Sequence, residues 1–351
     1  MIDRLARSLI ILVAVVLTAP VAGTEKEHAD RSAVDERLEG LDSRVRSLEF
    51  SLDRIAKSVD DLLWYQRVGD VAELDKVFIP TVPDPDGEET YGIANERHPF
   101  KIYCYVFVPR GLDRSAKHPL LVLPHGGVHS DFTTYYAHIV RELMERGYVV
   151  VAPEYRGSTG YGKDYYEAID YGGLEIDDVV AARDWAVERL PVVDARRVGI
   201  LGWSHGGLIA LMAVFDYPEK FQVAYAGVPV SDLVARMGYQ TQDYRELYSA
   251  DYHVGKTAHE DVEEYRRRSP AWNVEKLRTP LLVHTNTNDR DVHVLEVEHL
   301  IKSLKAAGKT FEYRIYEDVP GGHSFNRMDT AEAQESRREI YEFLRRHLGR
   351  N

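Results

Sequence analysis

The sequence predicts an α/β protein: a mostly parallel, twisted sheet with helices on both faces, preceded by a heptad-repeat helix. Three observations carry that reading. From residue 101 onward, apolar runs of strand length alternate with stretches of helical periodicity down to the C-terminus. Strand, helix, strand in that order calls for parallel strands joined by crossover helices. Between residues 34 and 62 the apolar residues keep a 3-4 rhythm instead, the seam of a coiled coil. The 351 residues, 44 % hydrophobic and 29 % charged, suffice for one large domain or two small ones.

At the N-terminus, Arg4 and Arg7 precede an apolar run over 9–17, and Ala19, Ala22 and Gly23 follow. Basic, apolar, then small is the order of a secretory signal peptide over 1–23, with a mature chain starting near Thr24. The run is short of the roughly 20 residues a membrane span needs. The expectation is a secreted or periplasmic protein, the alternative one anchored by an uncleaved segment.

Residues 31–65 form the second region. Val34, Leu38, Leu41, Val45, Leu48, Leu52, Ile55, Val59 and Leu62 make the seam. With Leu38 at position a, Arg37 and Arg44 fall at g and Asp42 and Glu49 at the following e positions, so each g residue meets an opposite charge across a parallel pair. One reading is an oligomerising coil through residues 31–63; the other is an amphipathic helix folded onto its own domain. Residues 79–92, rich in Pro, Asp and Gly, read as turns between edge strands.

The third region, 70–351, holds strand candidates at 101–108, 119–123, 148–152, 198–202, 222–226, 280–284 and 311–316. Helical patterns lie between or after them at 135–146, 176–189, 208–215, 295–307 and 331–348. Residues 228–272 break the rhythm and should pack as helices over the strand ends. The formal charge of -13 argues against nucleic acid or an anionic membrane surface as main partner. The single cysteine, Cys104, excludes an intrachain disulfide and reads as a packed strand residue. No Cys/His cluster has metal-ligand spacing.

The chemistry centres on Gly202-Trp203-Ser204-His205-Gly206, which follows an apolar strand and precedes an apolar helix. That is the context of the nucleophile elbow of the α/β-hydrolase fold: a sharp turn lifts the Ser204 hydroxyl above the sheet and leaves the backbone N–H of His205 facing an oxyanion. A hydroxyl needs a base, and the base needs an orienting acid; in this fold both follow the serine, acid first. Asp289 lies after the strand 280–284 and His323 on a glycine-bearing loop after the last strand. Asp289, in preference to Asp291, is expected to orient His323. A second oxyanion donor should come from the loop Pro124-His125-Gly126-Gly127, where glycines let backbone approach a carbonyl: Gly126 or Gly127. His205 and His284 read as packing residues by their side chains.

Together these motifs resemble the catalytic domain of the prolyl oligopeptidase family of serine peptidases, from about residue 95 to the C-terminus. His125-Gly-Gly127 is similar to the acylaminoacyl-peptidase branch. Arg156-Gly-Ser-Thr-Gly-Tyr-Gly162, Gly202-Trp-Ser-His-Gly-Gly207, Asp289-x-x-Val292 and Gly322-His-Ser-Phe325 extend the match. The resemblance implies an acyl-enzyme mechanism without a cofactor. Members commonly carry a β-propeller, for which the residues ahead of the match leave no room. An arginine that family endopeptidases place two residues after the acid is Asp291 here, which departs from proline-directed specificity.

The expected function is therefore hydrolysis of peptide bonds by Ser204, Asp289 and His323. Alternatives are a carboxylesterase on small or sugar-linked esters and, from another class, a non-catalytic oligomeric binding module. The cleft should be open and permissive. Its expected walls are Tyr239, Tyr244, Tyr248 and Tyr252 together with residues 129–136, with few charge anchors.

Overall fold

The structure, a computed structural model, describes residues 25–82 and 100–349. The expected signal peptide, its cleavage point and residues 83–92 of the turn region lie outside these. The chain divides into two compact units, residues 1–49 and 50–351.

Helix α1 runs Glu25–Val68 and so enters both units. Its residues before Phe50 make up the described part of the first unit, and each of residues 34–49 is exposed. From residue 50 on it belongs to the second unit, where Trp64 and Val68 are fully buried. The second compact unit begins at Phe50, ahead of the expected residue 70, and an aromatic anchor inside the helix ties its last turns to the core. The helix stops at Gly69, whose N–H closes a last bond of 3.0 Å on Tyr65 O. A Cβ there would sit 2.3 Å from that same oxygen.

The sheet follows: β1 Ala72–Pro80, β2 Lys101–Pro109, β3 His118–Val122, β4 Val149–Glu154, β5 Val193–Trp203, β6 Val223–Gly227, β7 Leu281–Asn286 and β8 Glu312–Tyr316. Among the described residues it is eight-stranded, in the order β1-β2-β4-β3-β5-β6-β7-β8. β2 pairs antiparallel with both β1 and β4, and β3 to β8 are parallel. The strand β1 was not anticipated as an element of its own, since its polar residues Glu73, Asp75 and Lys76 hide an edge strand. The central parallel stretches, residues 120–122, 149–152, 198–201, 223–226 and 281–283, are apolar and buried, as a sheet covered on both faces requires, whereas the edge strand β8 is largely exposed. Leu120 and Val122 of β3 join the core on one face, and Leu121 and Leu123 that on the other. Val149 and Val151 against Val150 and Ala152 repeat the alternation on β4.

The helices are α2 Ala137–Met144, α3 Lys163–Glu167, α4 Leu174–Arg189, α5 His205–Asp216, α6 Leu233–Tyr239, α7 Gln242–Ser249, α8 Val262–Arg267, α9 Val294–Ala306 and α10 Ala331–Leu348. Residues 228–272 do pack as short helices. α5 is buried along every side from His205 to Phe215, the signature of a helix locked inside the fold. That rigidity fixes the residue at its N-terminus, Ser204. Among the described residues no helix is long and apolar enough to cross a membrane. Cys104 is buried in β2, where burial holds its thiol well above the usual range.

Candidate active site

Ser204 joins β5 to α5 at φ 60° and ψ -123°, a backbone region that side chains other than glycine rarely adopt. The strain is held by its surroundings. Ser204 N–H donates to Gly227 O at 3.0 Å, and Val230 N–H donates to Ser204 O at 3.2 Å. The flanking glycines are steric necessities. A Cβ on Gly202 would stand 2.1 Å from Gly206 O, and one on Gly206 would stand 2.4 Å from Pro124 O.

Asp289 and His323 meet. His323 Nδ1 lies 2.7 Å from Asp289 Oδ2. The other oxygen, Oδ1, accepts the N–H groups of Asp291 at 2.9 Å and Val292 at 3.0 Å. A buried carboxylate with three donors is anchored on both oxygens, which favours His323 as the Nδ1–H tautomer with the Nε2 lone pair outward. Asp291 is engaged elsewhere: its Oδ1 pairs with Arg236 Nη2 at 2.8 Å, and its Oδ2 stays 3.7 Å from His323 Nε2. Arg236 is itself buried among Tyr239, Tyr244 and Glu296. His323 sits on a 3-10 turn, Gly322–Ser324, after a left-handed Gly321.

Ser204, His323, Gly126, Gly127 and Asp291 line one cavity of about 330 Å³ at the carboxyl ends of the strands. Ser130, Asp131, Thr133, Tyr135, Tyr136, Ser324 and Arg327 complete it. The expected walls are half right. The segment 129–136 supplies one side, whereas Tyr239, Tyr244, Tyr248 and Tyr252 line none of it. Arg236 draws Tyr239 and Tyr244 onto its guanidinium, with Tyr248 bonded to Tyr244 at 3.0 Å, and Tyr252 packs near His129 and Tyr166. Charge is also more abundant than expected, in Asp131, Asp291 and Arg327.

The loop after β3 is set by Tyr155, whose hydroxyl contacts His125 O at 3.0 Å and Gly127 O at 3.1 Å. In a trans peptide the N–H opposes the C=O. Gly126 N–H accordingly points the other way, and it donates to the Tyr136 hydroxyl at 3.1 Å. So of the two expected backbone donors, Gly126 is already engaged, while Gly127 N–H has no partner among the described residues. Tyr136 and Ser204 Cβ flank the same point, 3.7 and 3.3 Å from where a Gly126 Cβ would stand. His125 is buried, stacked on Tyr155 and bonded to Ser158 Oγ at 2.9 Å. Burial pushes its pKa down to about 3, so it is neutral. His205 is packed between Tyr155 and Tyr171, and His284 reaches Ser336 Oγ at 3.2 Å, both inside the core.

The wall at 131–136 is tied to α1. Lys57 is buried and its ammonium meets Asp131 at 2.9 Å, Glu154 at 2.5 Å and Phe132 O at 2.9 Å. Asp60 accepts Thr134 N–H at 3.1 Å and its hydroxyl at 2.6 Å. Trp64 stacks on Phe132, and Phe132 stacks on Tyr136. The sequence placed residues 129–136 beside the cleft, but it did not disclose these contacts from α1 that hold them there. Among the described residues no group of three or more His, Cys, Asp or Glu is arranged to hold a metal ion.

The prolyl oligopeptidase family profile matches residues 134–351. The chain belongs to that family. Membership brings the coarse chemistry with it, a serine-type hydrolase on an α/β-hydrolase fold. The chain is 32 % identical over 208 residues to the acylamino-acid-releasing enzyme of Mus musculus, covering 56 % of this chain and 28 % of that one. It is 30 % identical over 263 residues to dipeptidyl peptidase 8 of Homo sapiens, covering 71 % and 27 %. An uncharacterized peptidase of Bacillus subtilis, YuxL, is 30 % identical over 221 residues, covering 62 % and 33 %. This family member thus spans about a third or less of the curated relatives it matches. Its fold is similar to that of the uncomplexed Pyrococcus horikoshii acylaminoacyl peptidase, with TM-score 0.67 at 20 % identity over 80 % of this chain and 42 % of that one. Porphyromonas gingivalis dipeptidyl peptidase 4 gives 0.62 at 24 % identity, covering 79 % and 36 %.

Proposed function

We propose that this chain is a serine peptidase that cleaves short peptides through an acyl-enzyme, with Ser204 as nucleophile, His323 as base and then acid, and Asp289 as the group that orients it. What supports the reading is the Asp289–His323 hydrogen bond of 2.7 Å at a cavity that Ser204 also lines. Ser204 Oγ attacks the scissile carbonyl while His323 Nε2 takes its proton. The new oxyanion meets the N–H groups of His205 and Gly127, each typically worth ~3 kcal/mol, with the Tyr136 hydroxyl beside them. His323 returns the proton to the leaving amine. Water then attacks the acyl ester by the same route and frees Ser204.

A cavity of about 330 Å³ suits a small acyl portion, and its open side leaves the rest of a peptide unconfined. The order of residues 1–23 supports export, which N-terminal sequencing of protein from its host tests: a start near Thr24 is expected, and a start at Met1 in a membrane fraction overturns it. For the chemistry, a fluorophosphonate probe should label the native chain at Ser204. The same protein should turn over peptidyl nitroanilides with weak sequence preference. Unlabelled native protein, or labelling that survives Ser204→Ala, would overturn the assignment.

A further inference from the structure

Between residues 50 and 68, helix α1 has two opposed faces. One is taken by the catalytic unit: Phe50 packs edge-on against Tyr166, Lys57 enters the ion cluster with Asp131 and Glu154, and Trp64 is fully buried. These three stand seven residues apart, and Asp60 and Asp61 beside them also bond to the catalytic unit. In the heptad that places Leu38 at a, they occupy the outer positions f, b and c. The opposite face carries a and d, and it is bare. Leu52, Ile55, Val59 and Leu62 are 53 % to 72 % exposed. The helix therefore meets its own domain with its polar and aromatic outer face, and the apolar seam is left over.

The same seam runs through residues 34–48, where Leu38 and Val45 at a and Leu41 and Leu48 at d are 51 % to 64 % exposed. A continuous apolar stripe of this length is not kept in water without a partner. We infer that its partner is a second copy of this chain, paired in parallel as a two-stranded coil. Charge selects that occupant and its direction. Parallel strands set Arg37 and Arg44 at g against Asp42 and Glu49 at e of the partner strand, whereas antiparallel strands would set g against g and e against e, like against like. In the single chain Asp42 pairs with Arg46, but both are exposed and such a pair is worth little, so it yields readily to Arg37 of the other strand. Val45 and Val59 at a, with Leu41, Leu48 and Leu62 at d, favour two strands, while Leu38 and Leu52 at a and Ile55 at d do not share that preference. The helix segment is acidic overall, with Asp35, Glu36 and Glu39 in its first turns after Val34, which disfavours an anionic lipid surface as the occupant. The inference is independent of the hydrolytic reading. Because Lys57 and Asp60 sit on the outer face of the same turns, the coil carries each cavity wall on its outside.

Light scattering on the full chain tests it. The native protein should have twice the chain mass, and Leu41→Glu/Leu48→Glu should return it to one chain mass, with an unchanged near-ultraviolet circular dichroism spectrum as evidence of fold. Arg37→Glu/Arg44→Glu and Asp42→Lys/Glu49→Lys should each self-associate at least tenfold more weakly, and an equimolar mixture should pair again. A native monomer at micromolar concentration overturns the inference, as does a seam variant that keeps the native mass or a mixture that fails to pair. A threefold mass overturns the two-stranded assignment.

Discussion

Two regions border the Ser204 cavity, and they are built by different means. The rim made by Ser204, Asp289 and His323 is backbone work. A rarely adopted φ held by the end of β6 and the loop after it, glycines with no room for a Cβ, and a carboxylate pinned by the next amides are the devices at work there. The facing wall at 131–136 is side-chain work from far along the chain, since Lys57, Asp60 and Trp64 are about 70 residues away in sequence. Backbone devices need particular residue types at fixed spacing, so they write motifs. A wall held by long-range contacts needs only that some cation, some carboxylate and some ring arrive there, and it writes none.

If the rim carries the chemistry and the wall only shapes and steadies it, substitutions should sort by size. Ser204→Ala should lower kcat on a peptidyl nitroanilide by about a million-fold. Asp289→Asn, which leaves His323 in the wrong tautomer, should cost about 10⁴-fold in kcat. Asp291→Asn should cost far less, because Arg236 already turns that carboxylate aside. Should Asp291→Asn prove the more damaging, the rim has been read in the wrong order.

Tyr136 stands where the two regions touch. If its hydroxyl assists the oxyanion, Tyr136→Phe should lower kcat by about 10- to 100-fold with little change in KM. Full activity would instead mean that the freed Gly126 N–H serves as donor, and the wall would then be structural alone.

The smallest kinetic effect and the clearest stability effect belong to Lys57. Lys57→Met leaves Glu154 and Asp131 without their cation, at a cost of about 3 kcal/mol near neutral pH, with kcat/KM changed only several-fold. The pH dependence has a defined sign. Burial pushes Glu154 up to about 6, so its charged form is the costly one. Losing Lys57 raises it further. As the pH falls through that range the stranded carboxylate takes a proton, and the difference in stability from the native protein should shrink. Urea denaturation at about pH 8 and about pH 5 measures this, and a difference that grows on acidification would refute the account.

Much of this was legible beforehand. The parallel strands announced themselves as apolar runs, α5 as an apolar helix after G-x-S-x-G, and Asp289 and His323 by their order after the serine. What failed to show did so for physical reasons. β1 is an edge strand in which Asp75-Lys76 breaks the alternation of polar and apolar residues, so it shows no clean period of two. The tyrosines of 228–272 looked like cleft walls because aromatic rings suit one. The buried guanidinium of Arg236, which gathers three of them, is identified only once the fold closes around it.

By itself the sequence determined the class of fold, the strand-to-helix turn that holds Ser204 and the spacing of apolar residues along α1, because each depends on local sterics or on a period along the chain. Tertiary structure alone decided which face of α1 meets the second unit, which glycine amide stays free, and that the Tyr136 hydroxyl takes the Gly126 N–H. Those outcomes rest on contacts between residues far apart in the chain, and no local pattern encodes them.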